Sequence, residues 1–273
     1  MLVSLSDGYR MNVEEVGEGF PLIVLHGGPG MDHTMFRPYL DALAGDFRVL
    51  YVDERGQGRS PRVDPANLSL EVFARDVDLL AEALGLERFA LLGHSFGAIV
   101  TTWHATEVGT AAAYVISGGA ESSEALLVDV GAALAELDDD GSIAASWERE
   151  KTVQTDEEVR ALLRTQMPFH FHGPQPADYY RDFRPSPEVL RHFANIGYGD
   201  FDYRDALDHV RKPTLVIVGE HDRTTTPRAA RVLHGSIPGS ELVVVPNAGH
   251  MSFVEAPEPY VDAVRAFLRR ALA

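Results

Sequence analysis

The chain has 273 residues, 45% of them hydrophobic and 24% charged, enough to bury one α/β core with an insertion or two separate domains. Its formal net charge of −17 argues against a phosphate-binding surface and so against nucleic acid, and serves solubility more readily than it names a substrate. The absence of cysteine excludes disulfides, a thiolate nucleophile and cysteine-ligated metal sites.

The first residues, Met1 to Asp7, lack the basic and longer apolar parts of a signal peptide. No run approaches the roughly 18 apolar residues of a membrane span. A cytoplasmic protein with no membrane partner is the expectation; the oligomeric state is not legible. Short β-rich runs follow at Leu22–Leu25 and Phe47–Val52, with helical spacing over 33–44 between them. A helical stretch over 69–84 precedes the apolar run Phe89–Leu92, a helix over about 97–107 and a further strand at Ala112–Ile116. Strands resume at Thr214–Val218 and Leu242–Val245, separated by a helix beginning near Pro227. Nearly continuous apolar strands alternating with helices predict a mostly parallel central sheet covered by helices on both faces. Such a sheet carries its reactive loops at the carboxyl ends of its strands.

Residues 121–205 break the alternation. They are helical and acidic at first, then rich in aromatic, His and Pro residues, as in Met167-Pro168-Phe169-His170-Phe171-His172. The expectation is a helical cap over 121–205, inserted in a core made of residues 1–120 and 206–273.

Gly93-His94-Ser95-Phe96-Gly97 reads Gly-x-Ser-x-Gly between a strand and a helix, the setting of a nucleophile elbow. A serine hydroxyl is a poor nucleophile at neutral pH and needs an adjacent base, itself oriented by a third group. Asp222, in Gly219-Glu220-His221-Asp222, and His250, in Asn247-Ala248-Gly249-His250, both lie just past core strands at the same sheet edge as Ser95. Glu220 is the rival acid, but it sits nearer the strand end. His94 and His221 neighbour these positions and are expected to pack or hydrogen-bond rather than react.

His26-Gly27-Gly28-Pro29-Gly30 directly follows a strand. Its backbone N–H groups suit a developing oxyanion, with the Phe96 N–H as the other donor; Gly28 is the first choice and Gly27 the second. The loop lacks the glycine spacing and lysine of a nucleotide site. His26 is expected to brace the loop, and the segment Asp53 to Ser60 to form a buried ion-pair turn. No metal or cofactor is called for: His170 and His172 have no carboxylate at a convincing spacing, and their Phe and Pro neighbours suit a pocket lining.

Together these motifs resemble the prolyl iminopeptidase family of α/β-hydrolases. The Gly-Gly-Pro-Gly loop, the segment Asp53-x-Arg55-Gly56-x-Gly58-x-Ser60, the late Asp222 and His250, and the stretch Gly199 to Asp205 carry the likeness. It covers most of both core segments and, more weakly, the cap. The resemblance implies an α/β-hydrolase fold and a serine hydrolase that releases an N-terminal residue, often proline, from short peptides. It also implies cap acids that bind the free amino group. Trp147-Glu148 resembles one such cap motif, which marks Glu148, with Trp147, as the substrate-binding candidate. The chain departs from the family in having His94 and Phe96 in the elbow, and no glutamate over 164–170. An esterase or lactonase acting on small neutral esters is the alternative, and a catalytically silent binding module is a third class.

Overall fold

The computed structural model describes all 273 residues. Eight strands run β1 (Leu2–Ser4), β2 (Arg10–Val16), β3 (Phe20–Leu25), β4 (Phe47–Asp53), β5 (Ala90–His94), β6 (Ala113–Ser117), β7 (Thr214–Gly219) and β8 (Glu241–Val245). They form one sheet in the order β1-β2-β4-β3-β5-β6-β7-β8. β1 and β2 are antiparallel additions at one edge, and the other six strands are parallel. The chain steps outward from β3 to β4 and then crosses back to β5, so the sheet changes direction between β3 and β5. Ligand sites of open α/β sheets form at such a point.

The strand sequences follow from burial on both faces. Ile23 and Leu25 join one apolar cluster and Leu22 and Val24 the other; Tyr114 and Ile116 alternate with Ala113 and Val115 in the same way. Neither face of these strands meets water, which is why they read as unbroken apolar runs. Helices α1 (Leu70–Ala83), α2 (Phe96–Glu107) and α7 (Pro227–Ser236) cover the first face. The second is covered by α9 (Pro257–Leu272), through Tyr260, Val264 and Phe267, and by the segment Met35 to Leu43. α1 starts at Ser69, whose hydroxyl caps the Val72 N–H, and buries Phe73, Val77 and Leu80 at helical spacing.

The segment over 33–44 differs from expectation. It forms two 3₁₀ helices, His33–Phe36 and Tyr39–Gly45, rather than one α-helix. Pro38 lies between them, and its missing N–H and bulky ring bar a continuous helix.

Helices α3 (Ser123–Leu137), α4 (Ser142–Glu150), α5 (Asp156–His170) and α6 (Pro187–Ala194) all fall between β6 and β7. Val189 and Phe193 of α6 belong to the main core, whereas Val159, Leu162 and Leu163 of α5 form a small satellite cluster with Met31 and Leu190. A four-residue helix, α8 (Ser252–Glu255), completes the set. No helix is long and apolar enough to cross a membrane.

Candidate active site

Ser95 occupies the turn between β5 and α2 with φ 55° and ψ −115°, a region that non-glycine residues avoid. The turn is this sharp because two glycines let the elements touch. A Cβ on Gly93 would lie 2.0 Å from the Gly97 carbonyl oxygen, and one on Gly97 would lie 2.5 Å from the Leu25 carbonyl oxygen. Gly93→Ala should therefore lower the unfolding free energy by about 3 kcal/mol, read from urea denaturation. An unchanged midpoint would mean that the elbow is not tightly packed.

His250 follows β8 and Asp222 follows β7. The His250 Nδ1 lies 2.8 Å from the Asp222 Oδ2, both groups buried. A carboxylate only accepts, so Nδ1 carries the proton and Nε2 holds the basic lone pair. Three further donors aim at Asp222: the N–H groups of Thr224 (2.8 Å) and Thr225 (2.9 Å) and the Thr225 hydroxyl (3.0 Å). Glu220, by contrast, is exposed and accepts from the Asn247 N–H at 3.0 Å, leaving it outside the site. Ser95 and His250 line one cavity, without a hydrogen bond between them. Catalytic hydrogen bonds are often long until substrate binds.

At the glycine loop, the Gly27 N–H donates to the Met35 thioether at 3.1 Å, so Gly28 is the member whose donor remains uncommitted. Gly28 has φ +123°, which strains any residue with a side chain. Phe96 opens α2, where backbone N–H groups have no intrahelical acceptor. His26 is buried, with Nδ1 2.8 Å from the Gly27 carbonyl, and Nε2 accepts the Glu54 N–H at 3.3 Å; it braces the loop. Asp53 is likewise structural. Its carboxylate takes the His33 ring at 2.6 Å and the Arg59 N–H at 2.8 Å, and His33 helps hold it down at about 2 against the upward push of burial.

Three imidazoles cluster here, tilted against one another. The ring of His250 lies 4.7 Å from that of His94 and 5.4 Å from that of His170. His94 turns away from the cavity towards the Ser117 hydroxyl at 3.2 Å. Burial and the nearby His250 and His170 rings push it well below the ordinary histidine value. His170 is pushed down to about 3, first by burial and then by His250. His170 binds Thr224 at 3.0 Å while His172 stacks on His221 at 3.7 Å, so the two diverge.

The cavity holds about 660 Å³, within the range of small-molecule sites, and apolar groups supply 17 of its 33 lining residues. Ser95, Phe96, Gly28 and His250 line it from the sheet edge, and residues of α3 to α6 line it from the inserted segment. Trp147 lines it too, edge-on to Phe169 at 4.8 Å. Glu148 reaches it only at the rim. Its side chain is 73% exposed and paired with Lys151 at 2.8 Å, so its charge is already balanced.

The carboxylate inside is Glu150, which the sequence reading passed over. It is buried, accepts from the Gln166 amide at 2.6 Å and the Tyr198 hydroxyl at 2.7 Å, and is raised above the ordinary carboxylate value by burial. Tyr198 adopts φ 58°, so the phenol is presented by a strained backbone. A signal was available: Ile143, Ser146 and Glu150 recur at helical spacing on the buried face of α4.

Comparison with known proteins agrees with this fold. A family model described as the alpha/beta hydrolase fold matches residues 21–257. The chain is 27% identical to a proline iminopeptidase of Saccharolobus solfataricus, over 96% of this chain and 94% of that one. Among solved structures it resembles the proline iminopeptidase of Mycobacterium smegmatis, with a TM-score of 0.79, 25% identity and coverage of 99% and 98% of the two chains. It also resembles a thermophilic esterase from Thermogutta terrifontis, with a TM-score of 0.73, 25% identity and the same coverage.

Proposed function

The chain belongs to the alpha/beta hydrolase fold family, and on that premise we propose that it is a serine hydrolase that releases the N-terminal residue of short peptides. Residues 121–205 act as a cap over the core of residues 1–120 and 206–273. Ser95 Oγ attacks the carbonyl carbon while His250 Nε2 takes its proton, and Asp222 holds the ring and stabilises the imidazolium. The N–H groups of Phe96 and Gly28 receive the oxyanion, each worth about 3–4 kcal/mol in reactions of this kind. His250 then protonates the leaving amine, and water, deprotonated by the same ring, releases the acyl group.

The observation that carries the peptidase reading is a buried carboxylate in the same cavity as the nucleophile. Glu150 is the deep anchor for a substrate ammonium, with Trp147 as wall and Glu148 as a second, rim carboxylate once Lys151 moves aside. An ammonium enclosed there meets a charge-assisted acceptor in a low dielectric, and its fixed distance from Ser95 limits cleavage to one residue. The names of the relatives support this reading. The apolar half of the lining and the similarity to an esterase favour, as second reading, small neutral esters or lactones.

Turnover of proline, alanine and leucine amides against short-chain acyl esters separates the two. Rapid ester cleavage without aminoacyl-amide hydrolysis would reject the peptidase. Glu150→Gln should raise KM for free-amine substrates roughly tenfold to a hundredfold, the loss of one charge-assisted bond of about 1.5–3 kcal/mol, and leave N-blocked esters unchanged. The pH dependence has a defined sign. Glu150 ionises above the usual carboxylate range, so KM for amines should fall as pH rises through that raised range, and the trend should vanish in Glu150→Gln.

A further inference from the structure

We infer that Glu255 is a positioning residue for His250, clasping the inserted helices onto the loop that carries the catalytic imidazole. The inference rests on His250 being the general base. Glu255 ends α8, five residues beyond His250. Its Oε1 accepts the N–H groups of His172 (2.9 Å) and Gly173 (2.7 Å), just past the end of α5, and its Oε2 accepts the Gly249 N–H at 2.7 Å. The His170 carbonyl closes the clasp by accepting the His250 N–H at 2.8 Å.

Three backbone donors converge on one side chain that has no cationic partner within 4 Å. A carboxylate suits them, because it accepts at both oxygens and donates at neither. The two segments touch so closely that a Cβ on Gly249 would lie 2.8 Å from both the His170 oxygen and the His172 nitrogen. Segment 170–173 and loop 249–251 therefore move together. The backbone flanking His250 is set by the insertion through Glu255, as well as by the sheet beneath it. Misplacement of a catalytic group by about 1 Å costs on the order of a hundredfold in rate.

Glu255→Gln keeps the size and places an amide donor against a backbone donor. The probe is phenylmethanesulfonyl fluoride: the Ser95 oxygen bonds to sulfur, fluoride leaves and His250 takes the proton, with no dependence on peptide or ester preference. Labelling of Ser95, followed by mass spectrometry and normalised to native protein by near-ultraviolet circular dichroism, should slow roughly 10- to 100-fold in Glu255→Gln. kcat should fall with it while KM holds, and Glu255→Asp, which keeps the charge, should recover part of the rate. In the unsubstituted protein the amides of His172, Gly173 and Gly249 should exchange slowly with deuterium. Labelling within twofold of the parent in Glu255→Gln, or unprotected amides, would overturn the clasp. His250→Gln serves as the reference: slow labelling there with parental labelling in Glu255→Gln rejects Glu255 alone, and parental labelling in His250→Gln rejects the general base and the clasp together.

Discussion

Ser95→Ala should cut kcat by about 10⁶-fold on every substrate the protein turns over, and leave KM and the unfolding midpoint nearly unchanged. The serine is only partly buried, its side chain makes no hydrogen bond in the structure, and alanine keeps the Cβ that packs against Gly27. The only thing removed is the hydroxyl. The backbone strain at φ 55° stays, so stability gains nothing from the change. Single-turnover assays on the aminoacyl amides and esters, with protein freed of host hydrolases, measure the effect. Residual activity above one per cent of the parent would place the nucleophile elsewhere.

Asp222→Asn should cost about 10⁴-fold in kcat. Four donors converge on this carboxylate, including the His250 Nδ1–H at 2.8 Å. An asparagine amide accepts at one atom and donates at the other, so it either leaves backbone donors unsatisfied or presents N–H groups to the imidazole. The second outcome favours the tautomer with its proton on Nε2, which cannot accept from Ser95. Glu220→Gln is the matched control and should stay within twofold, because that carboxylate faces solvent. If the two results were reversed, Glu220 would be the orienting acid and the present assignment would fall. Thr225→Val tests the supporting hydroxyl, 3.0 Å from Asp222 and 3.3 Å from His250, with a smaller loss than Asp222→Asn.

Legibility followed the range of the interactions involved. The central parallel strands could be read because both their faces are buried, which makes them nearly continuous apolar runs flanked by turn residues. The elbow was equally plain, since a strand, a Gly-x-Ser-x-Gly turn and a helix are contiguous. Helix α1 was legible from helical spacing over 69–84, and the structure adds its Ser69 cap. The antiparallel strands β1 and β2 were not picked out, though burial alternates along the start of β2 at Met11 and Val13. β1 has three residues, and its pairing partner is chosen by the rest of the sheet. The two 3₁₀ turns at 33–45 shared helical spacing with an α-helix, and only Pro38 separates the cases.

In the site, the acid and the loop show the same division. Asp222 and Glu220 are two residues apart, and composition cannot say which turns inward. The bonds from Thr224, Thr225 and His250 decide it. Gly27 and Gly28 are chemically identical, and the Met35 sulfur, eight residues away, takes the donor of the first. Glu148 and Glu150 lie on one helix, where a rotation of about 200° separates their faces. The motif points at Glu148, but packing buries Glu150 and leaves Glu148 to Lys151.

The amino-acid order alone therefore determined the alternating α/β architecture, the position of the sharp serine turn and the loops from which its partners would come. Each of these is written in residues adjacent along the chain, where backbone sterics and apolar periodicity act. Only the tertiary structure decided which acid meets His250, which glycine keeps a free N–H, which glutamate is buried against the cavity and which backbone donors meet Glu255. Those outcomes depend on hydrogen bonds and burial between segments up to 83 residues apart, which become definite only once a common core has brought them within about 3 Å.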